Sequence, residues 1–416
     1  MVPPDHVQMD YASALSMGDA HTSRALVVCA NFPFPVISGG RKRAVRLMES
    51  MHRAGAKPYI LALDDDSGGL DEARARGWSA EVFPPPRYSF STRLRQHLRT
   101  EPVGMSALLA NRIRQLGAAS AFIQLEEIDV AQYVRLALTL APTAVSLHNV
   151  DSAARGADRR DLHGLPRARA EYHHWRLKNV ERRAARRGDA LICVSPADRA
   201  YFIRAGSRRV VLAPNGIDAQ LLKIPATAGR SDDVLFFGQL AWPPNLDGLR
   251  RFLAEGWPAV LSKVPGARLR IAGPGADRTL GRSVPTTGVD VVGFVDDIGD
   301  ELARVRAVVA PIWEGGGTRI KVLEAMAAGR PVVGTPLAVE EIGFQDRVHG
   351  LVGDTPVQLA EHLATLLQKA DLATRLGSAA RERAREFEWR LATAEAQRLY
   401  AEWIGIPDQR PDPETA

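Results

Sequence analysis

Short apolar runs of strand length recur along almost the whole chain, and most are separated by segments patterned as helices. Strands joined through helices run parallel, because a hairpin reverses the chain and a helical crossover does not. A parallel sheet built this way is covered on both faces, so its strands read as continuous apolar runs. One series comprises RALVVC at 24–29, KPYILAL at 57–63, AFIQLEE at 121–127, TAVSLHNVD at 143–151, DALICVS at 189–195 and RRVVLAPNGID at 208–218. A second comprises DDVLFFGQL at 232–240, ARLRIAGPG at 267–275, VDVVGFV at 289–295, AVVAPI at 307–312 and PVVGTP at 331–336. The expected fold class is α/β: two doubly wound Rossmann-like domains facing across a cleft at the carboxyl ends of their sheets.

A chain of 416 residues exceeds what one hydrophobic core organises and suits two domains. The first is expected at 21–218 and the second at 231–384, with a linker over 219–230 that Pro225 interrupts. The segment 385–404 reads as a C-terminal helix whose Trp389, Leu391, Leu399, Tyr400 and Trp403 make a docking face. Residues 1–20 carry two prolines, Asp5, Asp10 and Asp19 and no apolar centre, so they read as a disordered leader and not a secretory signal. Residues 405–416 read as a disordered, proline-rich tail.

No apolar run reaches membrane-spanning length. Cys29 and Cys193 sit inside strand-like runs, as buried free thiols of a reducing cytoplasm do. Lys and Arg number 54 against 48 Asp and Glu, a net charge of +6 that favours no partner class by itself. The excess is concentrated between Arg155 and Arg187. That segment reads as a solvated helical face, or as a contact with an anionic membrane surface or a phosphate-bearing acceptor. Nucleic acid is not an expected partner, because no reading module accompanies the charge.

The chemistry concentrates in PIWEGGGTRIKVLEAMAAGRPVVGTP at 311–336. A buried strand ends, three glycines follow, and a helix opens with Thr318 placed to cap it. Glycines allow close backbone approach, and a helix N-terminus attracts anions. Arg319 and Lys321 add charge beside that terminus, a combination suited to holding a diphosphate and stabilising it as it leaves. Glu324 stands where a carboxylate can accept hydrogen bonds from a ribose diol, although alone it could be a surface glutamate. Gly39 and Gly40 end a loop after the first strand, as a phosphate or sugar contact or as a tight turn. His148 follows a strand, where catalytic and sugar-positioning groups are found.

Other signals are weaker. Asp64, Asp65 and Asp66 read as a helix cap or solvated turn, and the adjacent His173 and His174 would point apart on a helix. No metal site is expected. A Walker glycine–lysine loop is absent, and Gly273 with Gly275 is only a fragment of a dinucleotide fingerprint.

Taken in order, PFP…SGG (33–40), LHN (147–149), PNGID (214–218), FFGQL (236–240), IAGPG (271–275), GFVDD (293–297), the 311–336 segment, HGLV (349–352) and FEW (387–389) closely resemble the retaining GT-B glycosyltransferases of the family usually numbered four. GGGTR at 315–319 together with WPPN at 242–245 looks like a polysaccharide-associated branch. The resemblance implies an acceptor domain first and a nucleotide-sugar domain second, with the last helix crossing back to the first. It implies a cytoplasmic enzyme, peripheral at the inner membrane face where its acceptor is lipid-linked, that needs no metal or cofactor. The donor substrate would be a nucleoside-diphosphate sugar and the acceptor a hydroxyl of a glycan, lipid-linked or small molecule.

The implied catalytic residues are His148, Arg319 and Lys321. The implied donor site is Gly39, Gly40, Gly238, Gly273, Glu314, Gly315, Gly316, Gly317, Thr318, Arg319 and Glu324. The chain departs from the family in two places. Gly316 stands where a glutamate usually contacts the donor sugar, Glu314 being two residues early. Gln239 and WPPN stand where an arginine and lysine usually follow the FxG strand, and Arg319 and Lys321 are expected to supply that charge. The alternatives are a non-catalytic nucleotide-sugar-binding protein and a nucleotide-sugar epimerase.

Overall fold

The computed structural model describes residues 23–63, 68–85, 106–150, 163–225, 232–276, 280, 287–315 and 319–405. The leader, the tail after Gly405, Asp64–Asp66, part of the basic segment, and Gly316, Gly317 and Thr318 lie outside the described residues.

Seven parallel strands make the first sheet: β1 (Ser23–Cys29), β2 (Ala56–Leu63), β3 (Ser79–Phe83), β4 (Phe122–Glu126), β5 (Thr143–Ser146), β6 (Ala190–Cys193) and β7 (Val210–Leu212). Their spatial order is β3-β2-β1-β4-β5-β6-β7. The second sheet contains β8 (Asp233–Phe237), β9 (Arg268–Ala272), β10 (Val289–Gly293), β11 (Ala307–Ala310), β12 (Val332–Gly334) and β13 (Gly350–Val352), ordered β10-β9-β8-β11-β12-β13 and again parallel. Both sheets are Rossmann-like.

The continuous apolar runs are explained by which face each residue covers. In β1, Ala25, Val27 and Cys29 enter one core while Leu26 and Val28 enter another on the opposite face. In β8, Val234 and Phe236 divide from Leu235 and Phe237 in the same way. Each sheet is therefore buried on both sides, and the polar residues its central strands do carry, such as Gln124 and Glu126 of β4, are buried and hydrogen-bonded.

Four elements differ from the sequence reading. The edge strands β3 and β13 were not expected: SAEVF is only half-buried apart from an exposed Ser79, and GLV is three residues long, so neither leaves a long apolar run. The pattern of NLDGLRRFLAEGWPAVLSKV at 245–264 reads as one amphipathic helix, and the structure forms two, Pro243–Glu255 and Trp257–Lys263, divided at Gly256. Pro258 sits in the first turn of the second, where a missing N–H costs nothing. The segment 385–404 is broken into a 3₁₀ turn, Arg385–Phe387, and two helices, Trp389–Ala392 and Ala394–Trp403.

Those last elements tie the two units together. Ile217, which packs in the core of the second unit, donates its N–H to the Phe387 carbonyl at 2.8 Å and accepts from Trp389 at 3.1 Å. Ala396, Leu399 and Tyr400 then enter the core of the first unit. The Tyr400 ring stacks on Phe122 at 5.1 Å, and its hydroxyl donates to Gln124 at 2.6 Å. The chain thus returns to the first sheet after completing the second.

Candidate functional site

Doubly wound sheets bind ligands beyond the carboxyl ends of their strands, where the strand order reverses. In the first sheet that place is between β1 and β4, and in the second between β8 and β11. The two ends meet. A side chain at Gly39 would touch Ile320 Cδ1 at 3.0 Å, and Lys42 Nζ lies 2.5 Å from Glu324 Oε1. Gln239, after β8, lines one cavity with Gly40, Glu126 and Glu127.

On the first side, Ser38 caps the helix Gly39–Arg53, its hydroxyl accepting from the Arg41 amide. This places the Gly39–Gly40 turn over His148: a Cβ on Gly40 would approach Nδ1 at 3.4 Å. The imidazole Nε2 is 2.8 Å from Glu126 Oε1. Glu126 is buried and also accepts from Ser146 Oγ at 3.0 Å and Gln124 Nε2 at 2.7 Å. A carboxylate held this way fixes the ring orientation. Glu127 stands beside it, with Oε1 3.6 Å from His148 Nδ1 and Oε2 accepting from Asn31 at 3.3 Å.

On the second side, glycine is required where two loops meet. Gly273 has φ 147°, and a Cβ there would lie 2.0 Å from the Gly238 carbonyl oxygen. Gly238 itself faces Asn245 and Lys321. Glu314 is exposed in the loop after β11, and Gly315 packs close to Trp242.

The helix Ile320–Ala327 has Arg319 as its N-cap residue, with no side-chain capping bond. The Val322 and Leu323 amides donate to the Arg319 carbonyl at 2.9 and 3.3 Å, and the N-terminal end of the helix carries the positive pole that attracts anions. Arg319 is buried, donates to the Gly315 carbonyl at 3.0 Å and lies 5.5 Å over the Trp242 ring. Burial brings its pKa down to about 10. Lys321 donates to Asn245 Oδ1 at 2.5 Å and sits over the Phe236 ring at 4.7 Å. Burial, reinforced by the Arg319 charge, brings its pKa to about 7. Both cations are thus held where burial disfavours their charge, and an anion there would relieve the penalty.

Glu324 is also buried, and Lys42 binds it from the opposite unit. Lys42 in turn lies 2.9 Å from Asp218, which pairs with Arg46. Burial works to lower the Lys42 pKa, but the Glu324 and Asp218 carboxylates outweigh it and hold the ammonium above its ordinary value.

The structure therefore brings Gly39, Gly40, His148, Gly238, Gly273, Arg319, Lys321 and Glu324 to one cleft. Sequence reasoning missed Lys42, Glu126, Glu127 and Asn245. The signals were present: two carboxylates ending the strand AFIQLEE, a lysine two places after the paired glycines, and an asparagine closing WPPN. Among the described residues, no three His, Cys, Asp or Glu side chains converge as metal ligands.

Comparison with known proteins agrees with this geometry. Residues 37–221 match the model of Glycosyltransferase Family 4, and residues 231–369 match that of Glycosyl transferases group 1. Anabaena HepE, solved in complex with UDP and glucose, superposes with a TM-score of 0.64 at 16% identity, over 91% of this chain and 99% of that one. Sucrose-phosphate synthase from Thermosynechococcus elongatus gives a TM-score of 0.65 at 18% identity, over 92% and 99%. The chain has the GT-B glycosyltransferase fold. Phosphatidyl-myo-inositol mannosyltransferase of Mycobacterium leprae is 32% identical over 221 residues, covering 50% of this GT-B chain and 58% of that protein. The D-inositol 3-phosphate glycosyltransferase of Saccharomonospora viridis is 29% identical over 51% of this chain and 50% of its own length. The chain thus spans little more than half the length of these curated relatives. Among the described residues of the GT-B chain, no helix is long and apolar enough to cross a membrane.

Proposed function

We propose that this GT-B chain is a retaining, metal-independent glycosyltransferase. It would take a sugar from a nucleoside-diphosphate sugar and place it on a hydroxyl of a glycan, lipid-linked or small-molecule acceptor. The observation that carries this reading is the pair of buried cations, Arg319 and Lys321, at a helix N-terminus. Such a cradle suits a diphosphate, whose charge grows as the sugar–phosphate bond breaks.

In this reading Glu324 accepts hydrogen bonds from the ribose diol after Lys42 withdraws, and Gly238 and Gly273 let the backbone approach the nucleotide. Gly39 and Gly40 approach the phosphates, and Gly315, with Gly316, Gly317 and Thr318, borders the donor sugar. His148, held by Glu126, orients the sugar. The leaving diphosphate helps to deprotonate the acceptor on the same face, so configuration is retained. Asn245 supports the polysaccharide-associated branch, because WPPN supplies the partner that holds Lys321 where the family's usual cations are missing.

Peripheral membrane contact is part of the proposal. The helix Gly164–Arg187 exposes Arg167, Arg182, Arg183, Arg186 and Arg187, together with Trp175. Cationic and aromatic side chains together suit an anionic bilayer surface.

A mass-spectrometric screen of UDP-, GDP-, dTDP- and ADP-sugars, run with a chelator, tests the donor half. Release of one nucleoside diphosphate with free sugar is the expected result. Tight binding of a donor with neither hydrolysis nor transfer to any of a broad acceptor panel would favour the non-catalytic reading instead.

A further inference from the structure

Alternate residues of a strand share a side, so Phe122, Gln124 and Glu126 form one row along β4. The row meets the helix Ala394–Trp403, where Phe122 stacks on Tyr400 at 5.1 Å; Ile123 and Leu125 enter the core on the opposite face. Gln124 is 0% exposed and Glu126 2%, in places where an apolar side chain would pack without needing partners. Glu127, at φ 77°, leaves the row, and its Oε1 stands 3.6 Å from the other imidazole nitrogen, His148 Nδ1.

The buried polar groups make one continuous line. The Tyr400 hydroxyl donates to Gln124 Oε1 at 2.6 Å, Gln124 Nε2 donates to Glu126 Oε2 at 2.7 Å, and Glu126 Oε1 lies 2.8 Å from His148 Nε2. Their chemistry permits only one sense. A carboxylate accepts and does not donate, so Gln124 must turn its NH₂ toward Glu126 and its carbonyl toward Tyr400. The phenol must then be the donor. Burial, reinforced by the Glu126 charge, raises the Tyr400 pKa well above its ordinary value and keeps that proton in place. The same carboxylate requires the imidazole N–H at Nε2. Arg43 is buried beside the line but donates to the Ala213 carbonyl at 2.5 Å.

We infer that Tyr400 and Gln124 are positioning residues for His148, acting through Glu126 from the last helix of the chain. Without the phenol, nothing holds the Gln124 carbonyl away from Glu126. A rotated amide would set oxygen against oxygen and push the carboxylate off the ring. The last helix thus completes a site that it does not touch, and it does so only after the second sheet has been built. The effect on reaction rate rests on the glycosyltransferase reading; the hydrogen bonds do not.

Tyr400→Phe removes one oxygen and keeps the ring that stacks on Phe122. NMR of the full chain carrying ¹⁵N-labelled histidine tests the line directly, the His148 signal being assigned by its loss in His148→Ala. A hydrogen bond to a buried carboxylate should give the Nε2 proton a resolved downfield resonance, slow to exchange with water. In Tyr400→Phe that resonance should move upfield or exchange away. Nucleoside-diphosphate release from the donor found in the screen should slow by about threefold to tenfold, the scale of one hydrogen bond, with donor KM unchanged. In a Glu126→Gln background the same substitution should add nothing further. Gln124→Met breaks the line at its next link and should reproduce both effects. Glu402→Gln is the control for a loosened helix, because it breaks the pair with Arg209 on the same element and should leave resonance and rate unmoved.

No protected resonance in the parent, an unmoved resonance in Tyr400→Phe, or the same changes in Glu402→Gln would overturn the positioning role and leave the glycosyltransferase reading standing. A resonance that moves as expected, in a chain that turns over no nucleotide sugar, would overturn that reading and with it the effect on catalysis.

Discussion

Lys42 Nζ lies 2.5 Å from Glu324 Oε1, so a lysine of the first unit occupies the carboxylate assigned to the donor's ribose in the second. The pair joins the two faces of the cleft. It also means that a nucleotide reaching Glu324 must displace an ammonium, which can fall back on Asp218 at 2.9 Å.

Lys42→Met is therefore expected to tighten nucleoside diphosphate binding. The pair is partly buried, and a value of roughly 1 kcal/mol corresponds to about fivefold in affinity. Isothermal titration on both proteins measures it. Weaker binding in the variant would instead make Lys42 part of the nucleotide site.

Glu324→Gln should lower nucleotide affinity by about tenfold to a hundredfold, the cost of losing hydrogen bonds to a charged acceptor. The same substitution should barely affect a 2′,3′-dideoxy nucleotide, which has no diol to offer. A double-mutant cycle between protein and ligand reads the coupling directly. Equal losses for both nucleotides would remove the ribose from Glu324.

Lys321 makes donor binding pH-dependent. With a pKa of about 7 in the empty site, it is protonated below that pH and largely neutral above it. A bound diphosphate stabilises the ammonium, so its pKa rises in the complex. Affinity should be flat below pH 7, fall as pH rises from 7 toward the bound-state pKa, and be accompanied there by proton uptake. Calorimetry near pH 8 in buffers of different ionisation enthalpy detects the uptake, and Lys321→Met should abolish it. Folding of the empty chain has the opposite sense. The unfolded lysine titrates near 10.5, so between about 7 and 10.5 it binds more protons than the folded one, and this contribution to stability rises with pH.

Much of this arrangement was legible in the residues. The apolar runs marked the central strands because both faces of each sheet are buried, as the split of Leu26 from Val27 shows. The residues of 311–336 marked where Arg319 and Lys321 come together because their placement is local in sequence. The missed residues depend on distances that sequence does not carry. Lys42 and Glu324 are 282 positions apart, and Asn245 and Lys321 are 76 apart. Glu126 and Glu127 read only as the polar end of a strand, since the backbone torsion that separates their roles has no signature in residue type. WPPN looked like the loss of two cations; in three dimensions it supplies Trp242 and Asn245 to hold the two that arrive from elsewhere.

Glu126 should act on the reaction through His148. With Nε2 directed to a buried carboxylate, the imidazole keeps Nδ1 toward the Gly40 turn. Glu126→Gln keeps the shape but removes the anion, and the amide can present its NH₂ to the ring and disturb the tautomer. Transfer should slow by about tenfold to a thousandfold, within the usual range for a positioned acid–base or electrostatic group. Donor KM should change far less, because the nucleotide is held from the other unit. His148→Ala should give a loss of the same order, and the double substitution little more than either alone, since the two side chains work as one device. Additive losses in the double variant would separate Glu126 from the chemistry and leave it a buried structural carboxylate.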